Sequence, residues 1–187
     1  MSMPAKLINI SVEEYLREEE LSDTRHEFID GQVFAMTGAT EAHNGIGGNL
    51  HALLHAKLRG GPCRVYMVDM KFRIETVNCF YYPDLMVTCE PFVASSVYKI
   101  APVFVAEVLS QSTAQIDHRE KLLAYTQVES LREYLVVHQQ EKRLELYSKN
   151  SKGHFEVKTF TAGDEVVLHS IPNKMTMQVD VLYEGIF

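Results

Sequence analysis

Val103-Phe104-Val105-Ala106-Glu107-Val108-Leu109 is an apolar run of strand length with one carboxylate set inside it. Near-continuous apolar character marks a strand covered on both faces. A buried acid must meet a cation or a metal ion, or sit where the strand opens on a cleft. An ion pair with a helix Lys or Arg is the plainer reading of Glu107; a metal site is the more informative one. Upstream, Tyr82-Pro83-Asp84-Leu85-Met86-Val87 carries a second acid. Pro83 puts Asp84 at a sheet edge, a strand start or a bulge, and a turn-capping Asp is the alternative. Acids on neighbouring strands can share one divalent cation, and such hard oxygen ligands suit Mg²⁺ or Mn²⁺ better than zinc.

Reading outward from these strands, Val65 to Ile74 alternates with period two and predicts one strand. Tyr66, Val68, Met70, Phe72 and Ile74 share its apolar face; Val65, Met67, Asp69, Lys71 and Arg73 share the other. Asn78 marks a turn, and Phe80 to Thr88 reads as the next strand. Residues 41–59 predict a helix with the stripe Ile46, Leu50, Leu53, Leu54 and Leu58, ended by Gly60-Gly61-Pro62. His43 falls on that stripe, either as a hydrogen-bonded core residue or in a cleft. Gly47 and Gly48 weaken an isolated helix and suggest a close neighbour. Ser11 with Glu14 is a capping box. In His26-Glu27-Phe28-Ile29-Asp30-Gly31-Gln32-Val33-Phe34 the Asp-Gly pair predicts a hairpin with Glu27 on its first strand. A helix capped by Ser112 or Thr113 and running to about Val128 follows the apolar strand. Strands at 133–137, 143–147 and 154–160 come next, then segments at 166–168 and 177–182. This order predicts an α/β mixture around one mixed sheet, an α+β arrangement rather than alternating βαβ winding.

Composition bounds the function. The 187 residues carry 18 Lys plus Arg against 25 Asp plus Glu, a net charge of −7. That suits one domain over 1–187, and the apolar-run length excludes a membrane-spanning helix. No block of Lys and Arg offers a basic arm, and the acidic balance opposes tight binding of a polyanion. Cys63, Cys79 and Cys89 are odd in number and unlike any CxxC pair, which argues against a disulfide framework or a Cys zinc site. With no signal peptide at the N-terminus, a reduced cytoplasmic setting is expected.

On the helix after residue 113, Asp117, Lys121, Ala124, Tyr125 and Val128 form one stripe. Lys121 is either a cleft residue or half of an exposed i,i+4 pair with Asp117. His51 and His55 have zinc-like spacing but no HExxH around them and read as solvated. Ser110 and Ser112 lack a nucleophile elbow.

Glu27 in His-Glu-Phe-Ile-Asp-Gly, His43-Asn44, Asp69 in Val-Asp-Met-Lys-Phe-Arg, Tyr82-Pro83-Asp84, Glu107-Val-Leu-Ser110-Gln-Ser-Thr113 and Asp117-xxx-Lys121-xxx-Tyr125 occur in that order. Together they resemble the Uma-two-like family, restriction-endonuclease-like proteins of the PD-(D/E)XK nuclease superfamily. The resemblance implies a restriction-endonuclease-like core over about residues 25–140, with an added N-terminal hairpin and C-terminal antiparallel strands. It implies Mg²⁺ or Mn²⁺ held by Asp84, Glu107 and the Val108 backbone carbonyl, with Glu27 as an additional acid. The superfamily lysine two residues after the second acid is replaced by Leu109. Its role would pass to Lys121, supported by Asp117, with Asp69 and His43 near the site. The implied activity is hydrolysis of DNA phosphodiester bonds. Lys71 and Arg73 are either phosphate contacts or solvated strand ends. A catalytically inactive module on the same fold, binding nucleic acid or protein, is the rival reading. A hydrolase for a small phosphorylated substrate is a more distant one. The C-terminal strands offer an edge for a homodimer or larger oligomer.

Overall fold

The structure is a computed structural model. It describes residues 9–36, 38–109 and 116–187, with residues 116–118 by their backbone alone. Helix α1 (Val12–Leu21) starts where Ser11 Oγ accepts from the Glu14 amide at 3.1 Å, as the capping box requires. Strands β1 (His26–Ile29) and β2 (Gln32–Ala35) make the expected hairpin. Asp30 and Gly31 both take positive φ there (46° and 88°), which a two-residue hairpin turn needs. Helix α2 (Glu41–Leu58) is capped by Thr40, whose side chain accepts from the His43 amide, and it buries Ile46, Leu50, Leu54 and Leu58. Gly47 and Gly48 do not mark a close approach, because a Cβ added at either meets nothing within 4 Å. Gly45 does: its Cβ would lie 2.5 Å from Ile186 Cδ1.

The segment expected as one strand over 65–74 is two, β3 (Arg64–Met67) and β4 (Lys71–Ile74). Val68 between them has φ 52°, a left-handed conformation that no continuous strand accepts. The next segment divides likewise, into β5 (Cys79–Tyr81) and β6 (Leu85–Thr88). Pro83, with no amide hydrogen, stands at that break. Short β7 (Tyr98–Lys99), the long apolar β8 (Pro102–Leu109) and helix α3 (Ile116–Tyr125) follow. The expected caps Ser112 and Thr113 lie outside the described residues. Strands β9 (Glu133–His138), β10 (Arg143–Lys149), β11 (Phe155–Thr161), β12 (Glu165–Leu168) and β13 (Met175–Gln178) lead to helix α4 (Val179–Leu182).

Among the described residues the strands form two larger sheets and one small one, instead of one mixed sheet. The first has the order β2-β1-β5-β4-β7 and the second β11-β10-β9-β8-β6-β3; β12 and β13 pair separately. The chain crosses between the two larger sheets at both strand breaks. One face of the second sheet packs Leu85, Val87, Phe104, Ala106 and Leu135 on α2, α4 and the β12–β13 pair. Its other face packs Met86, Val105, Tyr134 and Val136 against Phe72, Ile74 and Tyr81 of the first sheet and against Tyr125 of α3. Tyr15 of α1 closes the far face of the first sheet over Phe28 and Phe80. Strand β8 pairs antiparallel with β6 and parallel with β9, and α3 is the connection that parallel pairing requires.

Cys63 and Cys89 form a disulfide, contrary to the reading of the cysteine spacing. Each stands one residue outside the Arg64–Thr88 pair of the β3–β6 ladder, so register brings their Cα atoms to 4.0 Å. Register is not visible in sequence spacing. Among the described residues no helix is long and apolar enough to cross a membrane.

Candidate functional site

The acid on the buried strand organises the site. Glu107 is 7% exposed on β8, beside Val136 of β9. The residue pair Leu85–Ala106 ends the β6–β8 ladder, and Asp84 stands just beyond it. Asp84 Oδ2 takes the place of the missing strand by accepting from the Val108 amide at 2.7 Å. The residue expected to lend its carbonyl is thus tied to the first acid through its own amide.

Helix α3 supplies two further groups one turn apart. Tyr125 OH donates to Glu107 Oε1 at 2.8 Å. Lys121 Nζ lies 3.5 Å from the same oxygen and 2.9 Å from Glu27 Oε1. Lys121 is 7% exposed and its ammonium stands 5.7 Å from the Tyr81 ring centroid. Glu27 Oε1 is buried and, among the described residues, has that ion pair but accepts no hydrogen bond of good geometry. His43 at the start of α2 approaches from the other face of the second sheet, with Nε2 3.2 Å from Asp84 Oδ2. Asp84 and His43 side chains are more open than Glu27, Glu107 and Lys121, so the cluster opens on the Asp84–His43 side.

The electrostatics follow from burial. Glu107 is pushed up to about 8, first by burial and then by Asp84, while Lys121 and the Tyr125 hydrogen bond pull it back. His43 is held above its ordinary value by its hydrogen bond to Asp84, against the effect of burial. The Tyr125 phenol is held well above its usual range by burial and by the nearby Glu107 charge.

Glu27, Asp84, Glu107, Lys121 and His43 are therefore brought together. Asp69 is not: it is exposed and pairs with Arg25 Nε at 2.9 Å. Lys71 and Arg73 lie on the face of the first sheet beneath α1, Lys71 against the Tyr82 ring and Arg73 over Phe80. Glu27 faces the other way, toward α3. The Asp117 side chain lies outside the described residues. Glu19 was not anticipated. It is buried on α1 and accepts from the His26 amide at 2.9 Å and from Tyr82 OH at 2.7 Å. It thereby grips the residue before Glu27 and the residue two before Asp84. Its place four residues after Tyr15 is the signal available, since that spacing shares a helix face.

Asp84 and Glu107 fit a hard divalent cation. Both are carboxylates, the hard oxygen ligands that such an ion takes. Among the described residues no three His, Cys, Asp or Glu side chains form a ready cage.

The sequence model described as "Uma2: Putative restriction endonuclease" matches residues 12–180. The chain belongs to the Uma2 family. Relatives of this Uma2 protein include two from Synechocystis sp., both uncharacterized. Protein slr1290 is 36% identical over 186 residues, covering 99% of this chain and 97% of the relative. Protein sll1609 is 34% identical over 143 residues, covering 75% of this chain and 81% of the relative. A crystal structure described as a putative nuclease belonging to DUF820, from Anabaena variabilis, superposes with a TM-score of 0.77 at 15% identity. It covers 95% of this chain and 99% of its own. The Uma2 chain thus has the restriction-endonuclease-like fold.

Proposed function

We propose that this Uma2 protein is a divalent-metal-dependent nuclease that hydrolyses DNA phosphodiester bonds. The observation that carries the reading is Lys121, drawn between Glu27 and Glu107 beside Asp84 by side chains from different elements. A lysine and acids converging in a largely buried cluster suit phosphoryl chemistry better than a surface ion pair does.

In this reading Asp84, Glu107 and the Val108 carbonyl hold Mg²⁺ or Mn²⁺. The bound ion supplies a Lewis acid for the phosphate and lowers the pKa of a water. Lys121 stabilises the charge developing on the phosphoryl oxygens. Glu27 holds Lys121 in place, Tyr125 fixes the Glu107 carboxylate, and His43 orients Asp84. Lys121 thereby fills the role that Leu109 cannot.

The test is cleavage of supercoiled plasmid and of single-stranded DNA under Mg²⁺ or Mn²⁺. Wild type is compared with Asp84→Asn, Glu107→Gln and Lys121→Met. The expected outcome is cleavage by wild type and loss of about 100-fold or more in each variant. Unchanged cleavage in both acid variants would overturn the assignment. DNA binding with no cleavage under either metal would favour the non-catalytic module.

A further inference from the structure

The cations expected to meet phosphates do not line this site. Lys71 and Arg73 are engaged under α1, and Lys121 is paired with carboxylates in a chain of net charge −7. Duplex affinity comes mainly from phosphate neutralisation, and these three cations contribute little of it at the site. Beside it lies apolar surface instead. Strand β2 is the outer strand of the first sheet and is exposed along its length. Gln32 to Met36 contains no charged residue. Phe34 pairs directly with Glu27 in the β1–β2 ladder. Directly opposed residues share a face, with Cβ atoms about 5 Å apart. Phe34 therefore stands next to the acid that holds Lys121, and it is 47% exposed.

We infer that Phe34 is a stacking platform for a nucleobase, and that the substrate class is single-stranded or locally unpaired nucleic acid. A base in a duplex has its faces covered by its neighbours; an unpaired base has a face free for an aromatic ring. This rests on the nuclease reading and narrows it. Phe34 positions substrate and takes no part in bond breaking.

The chain contains no tryptophan, so Phe34→Trp places a lone indole at the proposed contact. Its emission would be followed while a short oligonucleotide, single-stranded or annealed to its complement, is titrated in EDTA. Binding would be read independently by anisotropy of a labelled strand. Quenching by the single strand is expected, with the duplex bound more weakly. Phe34→Ala should weaken single-strand binding roughly 5- to 150-fold, and Phe34→Tyr should restore it. Three results would overturn the inference: binding without a change in emission, Phe34→Ala binding as tightly as wild type, or a dimer in sedimentation that Phe34→Ala dissociates. In each of these the nuclease reading survives if cleavage still requires Asp84 and Glu107. If neither strand form binds and neither is cut, both readings fall.

Discussion

Glu107 is enclosed by α3 and by the strands on either side of it, and burial raises its affinity for a proton. In the unfolded chain the same carboxyl titrates near 4.5, and in the fold it is pushed up to about 8. Between those values the folded state binds more protons than the unfolded state. Stability contributed by this group therefore falls as pH rises through that window. Glu107→Gln removes the effect. Its melting temperature should exceed that of wild type, by a margin that widens from about pH 5 to pH 8. Calorimetry across that range checks it, and a margin that shrinks with rising pH would contradict the burial argument. This also makes the cleavage test clean, since lost activity in a more stable variant is not lost folding. The residue was legible in sequence because one acid in an apolar strand violates a solvation rule. Lys121 was not legible by that route, because its spacing from Asp117 fits an exposed pair equally well. Only the family resemblance singled it out.

At the level of elements, α2 shows where local reasoning holds and where it stops. Its stripe, its cap and its end follow from the sequence; the use of its glycines does not. Gly45 faces Ile186, while Gly48 faces open space. Gly48→Ala should therefore gain the helix preference of alanine, about 1 kcal/mol, or a rise of roughly 2–4 °C in melting temperature. Gly45→Ala should gain less, because Ile186 must move. Thermal melts of the two variants side by side test the difference. The same limit explains Lys71 and Arg73. Alternation assigned them to the face of Asp69, but Val68 turns the chain into another sheet before they are reached. A period of two records which side of a strand a residue takes. It does not record which sheet the strand joins.

Over the whole molecule, the charge of −7 and the turned-away cations predict how affinity responds to salt. A plot of log affinity for single strands against log salt, between roughly 50 and 200 mM, should have a slope shallower than about −2. Anisotropy titrations give this directly, and a slope of about −5 would reveal a phosphate-binding surface elsewhere.

The two sheets also differ in what they can tolerate. Glu107 rides on β8, paired on both sides in the middle of its sheet, whereas Phe34 rides on β2, paired on one side and exposed. Changes on β8 disturb the core; changes on β2 disturb little beyond the surface. The fold thus leaves the strand beside the acids free to drift. New preferences among substrates can arise there, by selection or by design, while the groups that would cut them stay fixed.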